Sequence, residues 1–362
     1  MPGLYIGLMS GTSMDGIDAV LIDLNGAPAL LHHSHQPFSP QLRTGLLALN
    51  EPGPDELHRA ALAANALALG YAAVVRTLLT QTHTTVDQIT AIGCHGQTVR
   101  HRPESGYTIQ LVNAALLAEL TGIRVVCDFR SRDIAAGGEG APLVPAFHRA
   151  VFAHPQLSRA VVNIGGIANI TRLPVQGDVI GFDCGPGNVL MDGWIMAHQG
   201  VAYDAGGAWA ARGSALPELL ERLLAHEFFE RSPPKSTGRD LFNLQNLKNA
   251  LAGNERPVDV QATLCDLTAT TIARALLAHC ADAREVYLCG GGARNNTLRA
   301  RLAALLPGKR LAVTDELGIT AESVEAAAFA WLAQRAVDGK PGNLPQVTGA
   351  RGLRVLGAIY PA

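Results

Sequence analysis

The chain has 362 residues, which is enough for two domains with substantial hydrophobic cores. Its net charge of −2 argues against the basic surface with which proteins bind nucleic acids. The six cysteines are scattered without paired spacing, which argues against a zinc site or a disulfide framework and favours reduced thiols.

The N-terminal segment has no basic region followed by a long apolar stretch, so it does not resemble a signal peptide. No apolar run approaches the roughly 20 residues that span a bilayer. The 38 glycines and the aromatic content of 5 % are typical of an α/β enzyme with many tight turns. We therefore expect a cytoplasmic α/β protein that binds neither nucleic acid nor a membrane.

Residues 6–24, IGLMSGTSMDGIDAVLIDL, predict two strands joined by a turn of small polar residues. Such a turn directs backbone amides and hydroxyls toward an anion. The carboxylates of Asp15 and Asp18 could orient water around Mg²⁺ on a nucleotide. A surface hairpin without a ligand is the plainer interpretation of a single turn of this kind.

His32, His33 and His35 come next, without a cysteine or carboxylate cluster, so a solvated loop or strand edge is favoured over a metal site. The elements that follow are predicted as a helix over residues 55–81, a buried strand over 89–94, a helix over 109–121, a strand over 124–129 and a helix over 143–152.

The second half begins with a pair of strands over residues 160–173, followed by the segment DVIGFDCGPGNVLMDGW. Further helices are predicted near residues 215–230, 259–281 and 294–306, and again from Thr320. The segment RSPPKSTGRDLFN, residues 231–243, is a loop by composition. No glycines precede its lysine, so it is not a P-loop.

Three glycine-rich segments each follow an aliphatic run, at residues 11–16, 165–166 and 290–292. Glycine at the end of a strand allows the backbone to approach a phosphate closely. Two of the segments have related sequences and lie at related positions in the two halves, which indicates a duplicated fold with a nucleotide in the cleft. We place the N-terminal domain at residues 1–150 and the C-terminal domain at residues 151–362.

The motifs MSGTSMDGIDA, CHGQTVRHRP, DFRSRDIAAGGEGAPLVP, NIGGIANIT, GFDCGPGN and CGGGARNN together resemble the anhydro-N-acetylmuramic acid kinase family. This family lies within the superfamily of acetate and sugar kinases, Hsp70 and actin. The resemblance extends from residue 6 to about residue 330. It implies a two-domain, duplicated actin-like (ribonuclease H-like) α/β fold with an ATP cleft between the domains, and a homodimer.

The resemblance also implies a reaction. Family members use ATP and water to open the 1,6-anhydro ring of 1,6-anhydro-N-acetylmuramic acid and phosphorylate O6, which gives N-acetylmuramic acid 6-phosphate in murein recycling. A carboxylate should activate the water, as in an inverting glycosidase, and phosphoryl transfer requires alignment and charge neutralisation. Asp183 ends the strand VIGFD and stands at the family's catalytic position; its alternative role is to cap the following helix.

The resemblance implies that polar residues near strand ends bind the sugar. Arg130 is preferred to Arg132 as the partner of the lactyl carboxylate, because of its position in the motif, and a surface arginine is the alternative. For His95 a core histidine, and for Glu325 an exposed helical acid, remain open alternatives. The predicted sugar-binding residues are His95, Gln97, Thr98, Arg130, Asp133 and Glu325.

For ATP, the resemblance implies that the first two glycine-rich segments surround the phosphates and the third packs against adenosine. The predicted residues are Gly11, Thr12, Ser13, Met14, Asp15, Gly16, Ile17, Asp18, Gly165, Gly166, Gly290, Gly291, Gly292 and Asn295. The first strand lacks the superfamily's Asp-x-Gly, and Asn163 replaces an acid in the second hairpin. The ligand of Mg²⁺ is therefore left between Asp15 and Asp18.

Two other functions share the nucleotide-binding elements. An actin-type or Hsp70-type binding protein would turn over ATP without a sugar, but it does not account for GFDCGPGN or DFRSRD. A kinase for another amino sugar is the second alternative. Measurement of ADP release with and without the anhydro sugar distinguishes all three.

Overall fold

The computed structural model describes residues 3–11, 14–238 and 240–362. The chain divides into two compact units, Met1–Val151 with Ser323–Ala362, and Phe152–Glu322. The division after Val151 lies one residue from the predicted boundary. The second unit differs from the predicted domain of residues 151–362, because Ser323–Ala362 folds with the first unit.

The described strands are, in chain order, β1 (Leu4–Met9), β2 (Gly16–Asp23), β3 (Ala29–Pro37), β4 (Ile89–Cys94), β5 (Gln97–Arg102), β6 (Tyr107–Leu111), β7 (Val125–Cys127), β8 (Arg159–Ile164), β9 (Ile167–Leu173), β10 (Ile180–Pro186), β11 (Glu285–Cys289), β12 (Arg310–Val313) and β13 (Ala358–Tyr360). The described α-helices are α1 (Pro40–Ala48), α2 (Glu56–Thr82), α3 (Ala114–Thr121), α4 (Ser131–Ala135), α5 (Val144–Phe152), α6 (Val189–Gln199), α7 (Pro217–Leu224), α8 (Leu244–Ala250), α9 (Pro257–His279), α10 (Asn296–Leu305), α11 (Val324–Val337) and α12 (Pro345–Thr348).

The main sheets of the two units share one topology. The first has the order β13-β7-β4-β1-β2-β3, and the second has the order β12-β11-β8-β9-β10. In the first sheet, β1–β2 and β2–β3 are antiparallel, while β1–β4 and β4–β7 are parallel. The second sheet repeats this pattern with β8, β9, β10, β11 and β12. The repetition confirms the duplicated α/β fold.

Helix α11 explains why the C-terminal segment belongs to the first unit. A Cβ atom added at Gly7 on β1 would lie 1.8 Å from the carbonyl oxygen of Ala326. A Cβ atom added at Gly93 on β4 would lie 2.0 Å from the carbonyl oxygen of Phe329. Only glycine permits so close an approach between strand and helix backbones. Because Gly7 and Gly93 have no side chains, α11 packs directly against the middle strands of the sheet.

Helix α2 covers the predicted span of residues 55–81 closely and supplies much of the first core. Its buried side chains lie on one face at helical spacing and include Leu67, Tyr71, Val75 and Leu78. By length and composition alone, this helix could cross a membrane. The buried core helix of a folded domain passes the same test, so this is weak evidence for a membrane span.

Candidate active site

The first glycine-rich turn joins β1 to β2. Thr12 and Ser13 lie outside the described residues. The amide of Met14 donates to the carbonyl of Gly11 at 3.1 Å, and Met14 has a positive φ of 53°. The side chain of Met14 is buried in the core, as is that of Ile17. These two predicted ATP-binding residues can therefore present only their backbone to a ligand.

Asp18 is engaged by the neighbouring strand. Its Oδ1 accepts hydrogen bonds from His33 at 3.1 Å and from His35 at 3.0 Å, both on β3. Burial raises the pKa of Asp18, but the two histidines outweigh it and hold the pKa below its usual value. Asp15 is exposed in the turn before β2. Both residues stay predicted ligands of Mg²⁺.

The three histidines lie on the edge strand β3, in agreement with the expected strand edge. Within residues 3–11, 14–238 and 240–362, no group of three or more His, Cys, Asp or Glu side chains is arranged to hold a metal ion. A Mg²⁺ ion that accompanies a nucleotide needs fewer, because it takes most of its ligands from phosphates and water.

The second glycine-rich turn joins β8 to β9 and is fixed to the start of α6. The carbonyl of Gly165 accepts from the amide of Asn188 at 2.8 Å, and the carbonyl of Gly166 accepts from the amide of Gly187 at 2.9 Å. A Cβ atom at Gly187 would lie 2.2 Å from the oxygen of Gly165, so the motif needs glycine at that position. The motifs NIGGIANIT and GFDCGPGN thus meet at one end of the sheet.

The third glycine-rich segment packs against the end of β8. Gly290 has a φ of 76°, and a Cβ atom there would lie 2.4 Å from Oδ1 of Asn163. A Cβ atom at Gly292 would lie 2.3 Å from the side chain of Ile164. The second and third segments are therefore brought together within the second unit, as expected for one nucleotide site.

Asn295 has a structural task. Its Oδ1 accepts from the amide of Leu298 at 2.9 Å and so caps the N-terminus of α10. The side chain is buried, and a Cβ atom at Gly207 would lie 2.1 Å from the same oxygen. Asn295 therefore fixes the end of the third glycine-rich segment, and its Oδ1 is engaged within the protein.

In the first unit, Arg130 and His95 form a buried pair. The guanidinium donates to Nε2 of His95 through Nη2 at 2.9 Å and Nε at 3.2 Å, and Nη1 donates to the carbonyl of Gly140 at 2.8 Å. The His95 ring packs on Phe329 with its centroid 4.5 Å away. His95 therefore acts as an acceptor toward Arg130.

Electrostatics keep this pair in the His⁰–Arg⁺ state. Burial, with the nearby charge of Arg130, holds the pKa of His95 well below its usual value. Burial lowers the pKa of Arg130 to about 10, while Glu325 and Asp133 oppose that shift. Glu325 is thus close enough to Arg130 for its charge to affect the pKa of the guanidinium. This favours the interpretation of Glu325 as an acid that faces the site over that of an exposed helical acid. One N–H of each terminal nitrogen of Arg130 donates to His95 or to Gly140, and the planar guanidinium matches the geometry of a carboxylate.

Asp133 is wholly buried, and its carboxylate is filled by protein donors. Oδ1 accepts from Nδ2 of Asn343 at 2.7 Å and from Oγ1 of Thr348 at 2.8 Å, and Oδ2 accepts from the amide of Gly140 at 2.9 Å. This corrects the expectation that Asp133 contacts the sugar. It holds the loop that carries the Gly140 carbonyl beneath Arg130.

Gln97 and Thr98 follow β4 and open β5. Gln97 is fully buried, and its Nε2 donates to the carbonyl of Gly11 at 3.2 Å. Its Oε1 has no hydrogen-bond partner among the described residues. Oγ1 of Thr98 accepts from Gln110 at 3.2 Å. Gln97 therefore connects the predicted sugar-binding segment to the first glycine-rich turn and retains one acceptor among the described residues.

Asp183 lies near the end of β10. Oδ2 accepts a hydrogen bond from the amide of Thr237 at 2.9 Å, and burial raises the pKa of the carboxyl to about 6. Its carboxylate does not cap α6, whose N-cap residue is Asn188. A carboxylate with a pKa near 6 is ionised at neutral pH and basic enough to accept a proton from an attacking water.

Sequence reasoning missed several residues around these groups. Thr237 and Lys235 lie in the segment interpreted only as a loop, and the Gly140 carbonyl and the Phe329 ring complete the surroundings of His95 and Arg130. The bond from the Thr237 amide has no signal in the sequence, because any residue except proline could donate it. Phe329 lies in an Ala-rich helix, where the sequence alone predicts only a core side chain.

The model of the anhydro-N-acetylmuramic acid kinase family matches residues 3–362. Proteins named anhydro-N-acetylmuramic acid kinase are similar over the full length. Those of Nitrosomonas europaea and Nitrosospira multiformis are 57 % and 58 % identical over 361 residues, with 99 % of both chains covered in each case. That of Chromobacterium violaceum is 52 % identical over 366 residues, with 100 % of both chains covered.

Two solved structures share the fold. One is the activator of the 2-hydroxyisocaproyl-CoA dehydratase from Clostridium difficile with bound ADPNP, at a TM-score of 0.50 and 13 % identity, with 93 % of this chain and 96 % of that chain covered. The other is component A of the (R)-2-hydroxyglutaryl-CoA dehydratase of Acidaminococcus fermentans. Its TM-score is 0.50 and its sequence identity is 13 %, with 90 % of this chain and 96 % of that chain covered. At this identity the likeness concerns the fold alone.

Proposed function

The chain belongs to the anhydro-N-acetylmuramic acid kinase family, and from that membership we propose that Asp183 is the base of its reaction. The protein is an ATP-dependent kinase of murein recycling. It opens the 1,6-anhydro ring of 1,6-anhydro-N-acetylmuramic acid and phosphorylates O6, giving N-acetylmuramic acid 6-phosphate and ADP. The observation that carries the role of Asp183 is a half-buried carboxylate with one oxygen fixed by an amide and a pKa raised to about 6.

In the proposed mechanism, Asp183 accepts a proton from a water molecule that attacks the anomeric carbon. A C1–O bond forms to the water oxygen, and the bond from C1 to the bridging O6 breaks. The electron pair released on O6 then forms a bond to the γ-phosphorus of ATP, and ADP leaves. The proton remains on Asp183 until product release and then passes to solvent.

For the sugar, we propose that the terminal fork of Arg130 binds the lactyl carboxylate. Two parallel N–H···O bonds suit a planar carboxylate better than the point charge of a lysine would. His95 and the Gly140 carbonyl orient the guanidinium from its other side. The Oε1 of Gln97, which has no hydrogen-bond partner among the described residues, and the carboxylate of Glu325 are assigned to sugar hydroxyl or amide groups, since both are acceptors.

For ATP, we propose that the turn around Gly11 and the turn at Gly165 and Gly166 surround the phosphates, while Gly290–Gly292 lies against adenosine. Small residues support this role, because they allow backbone amides to approach an anion closely. Asp15 or Asp18 would hold Mg²⁺. When bound, the ion neutralises charge on the phosphates. A cytoplasmic homodimer is the proposed form of the protein.

The substitution Asp183→Asn tests the proposal. It keeps the size of the side chain and an oxygen that can accept from the Thr237 amide, but it removes the base. We expect kcat to fall roughly a thousandfold with an unchanged melting temperature. Turnover close to that of the wild type would overturn the assignment.

A further inference from the structure

The segment Lys235–Thr237 belongs to the predicted loop of residues 231–243 and lies along the end of β10. The amide of Asp183 donates to the carbonyl of Lys235 at 3.0 Å. Two residues later, the amide of Thr237 donates to Oδ2 of Asp183 at 2.9 Å. The segment therefore holds both the backbone and the carboxylate of the same residue.

The segment is itself anchored. Nζ of Lys235 donates to the carbonyls of Phe228 at 3.2 Å and Phe229 at 3.4 Å, and it lies 4.7 Å from the centre of the Phe228 ring. Phe228, Phe229 and Phe242 pack against one another with ring centroids between 5.7 and 5.9 Å apart. Phe228 and Phe229 precede the loop of residues 231–243 and Phe242 lies near its end, so one aromatic cluster holds both ends.

The strand is irregular at the same point. The pairing of β10 with β9 shifts between Asp183 and Gly185, which is a β-bulge. A bulge interrupts the ladder and redirects the neighbouring side chain. A Cβ atom at Gly185 would lie 2.9 Å from the ring of Phe229, so the bulge and the aromatic cluster are in contact. Asp183 consequently needs a partner other than the regular ladder to fix its orientation.

We propose that Lys235–Thr237 is a positioning segment for Asp183: the Thr237 amide fixes Oδ2 so that Oδ1 is presented to the attacking water. Lys235 acts as the anchor of this segment and does not neutralise the carboxylate, because its ammonium group is directed to two backbone carbonyls. The inference rests on the proposed role of Asp183 as the base.

The charge balance around Asp183 supports a direct role for the amide. Burial raises the pKa of Asp183, and the hydrogen bond from Thr237 lowers it. Over the described residues, the titratable and charged groups on the surrounding elements are Cys184 on β10, Arg172 on β9, Asp259, Cys265, Asp266, Arg274 and His279 on α9, Glu227 and Glu230 on the turn before the loop, and Arg231, Lys235 and Asp240 in the loop. The amide is thus the group that favours the ionised base.

The test is a pH titration of Asp183 by carboxyl ¹³C NMR in the full-length protein, with the signal assigned by its loss in Asp183→Asn. Thr237→Pro removes the amide donor, and Thr237→Ala, the matched control, keeps it. We expect Thr237→Pro to raise the pKa of Asp183 by about one unit and to move the acidic limb of kcat/KM upward by the same amount. Thr237→Ala should keep the wild-type pKa. An unchanged pKa in Thr237→Pro would overturn the inference.

Lys235→Met provides a second variant, should proline disturb the fold. It keeps a long, apolar side chain against Phe228 but removes the ammonium group, so it should shift the pKa in the same direction by a smaller amount. Equal pKa values in the wild type and Lys235→Met would contradict the anchoring role. The NMR titration does not depend on turnover. If Asp183→Asn stayed active, the proposed base would fail, while the titration would still report on the positioning segment.

Discussion

Asp183 must be ionised to accept a proton from water, and burial raises its pKa to about 6. The protonated fraction is inactive as a base, so kcat/KM should rise with pH and level off above about 7. Below the pKa it should fall about tenfold for each pH unit. A steady-state pH profile checks this. An acidic limb near pH 4, where an unperturbed carboxyl titrates, would contradict it.

Arg130 and Arg132 allow a matched comparison in one motif. Arg130 is partly buried against His95, whereas Arg132 is exposed. Arg130→Lys loses the planar fork and should raise KM for the sugar roughly tenfold or more, with KM for ATP unchanged. Arg132→Lys should leave both constants near those of the wild type. A larger effect at Arg132 would reverse the assignment.

The roles of some single residues could be predicted from the sequence and those of others could not. Asp183 and Arg130 are predicted from their positions in motifs, and Glu325 is predicted because it is an acid in an otherwise apolar helix. Their roles in the reaction stay predictions. Asp133 looked equally suitable in the sequence but is committed to Asn343 and Thr348, which lie more than 200 positions away. A contact of that range cannot be inferred from one sequence.

At the scale of elements, Asp133 joins the loop after α4 to the C-terminal segment. Asp133→Ala would leave Asn343, Thr348 and the Gly140 amide without their acceptor in a buried site. We expect a loss of about 3 kcal/mol in the free energy of unfolding of the first unit. Chemical denaturation measures it. Glu139→Ala, at an exposed position in the same loop, is the control and should change stability little. Equal effects of the two substitutions would refute the linking role.

The contact of α11 with β4 gives a second stability test. Gly93→Ala would place a methyl group 2.0 Å from the carbonyl oxygen of Phe329 and force the helix away from the sheet. The melting temperature should fall by roughly 5–10 °C. Gly45→Ala in α1, where no atom lies within 4 Å of the added carbon, should instead stabilise the protein by up to about 1 kcal/mol. An unchanged melting temperature in Gly93→Ala would show that α11 does not approach β4 so closely.

Elements with strong periodicity were predicted well and their boundaries less so. The buried strand over residues 89–94 and the long helix α2 were predicted within a residue of their bounds. The helix expected over residues 109–121 was partly wrong: Tyr107–Leu111 forms β6, and the helix begins only after Asn113 caps it. The alternating pattern of β6 is too short to be distinguished from helix in the sequence, and its pairing with β5 decides the outcome.

At the scale of the whole molecule, duplication was visible in the sequence because the two hairpin motifs are related, and the two main sheets repeat one topology. The position of the C-terminal segment was not visible. Val324–Val337 reads as an apolar helix that either domain could bury, and the close approach at Gly7 and Gly93 determines the choice. The ATP cleft between the domains remains a prediction.

In the proposed function, ATP is consumed only when the anhydro sugar is opened and phosphorylated. The most direct measurement is ADP release by the full-length protein with 1,6-anhydro-N-acetylmuramic acid, with N-acetylmuramic acid, with N-acetylglucosamine and without any sugar. We expect ADP in a one-to-one ratio with N-acetylmuramic acid 6-phosphate from the anhydro sugar, and little ADP otherwise. ADP formed at the same rate without sugar, or activity on the open-ring acid alone, would contradict it.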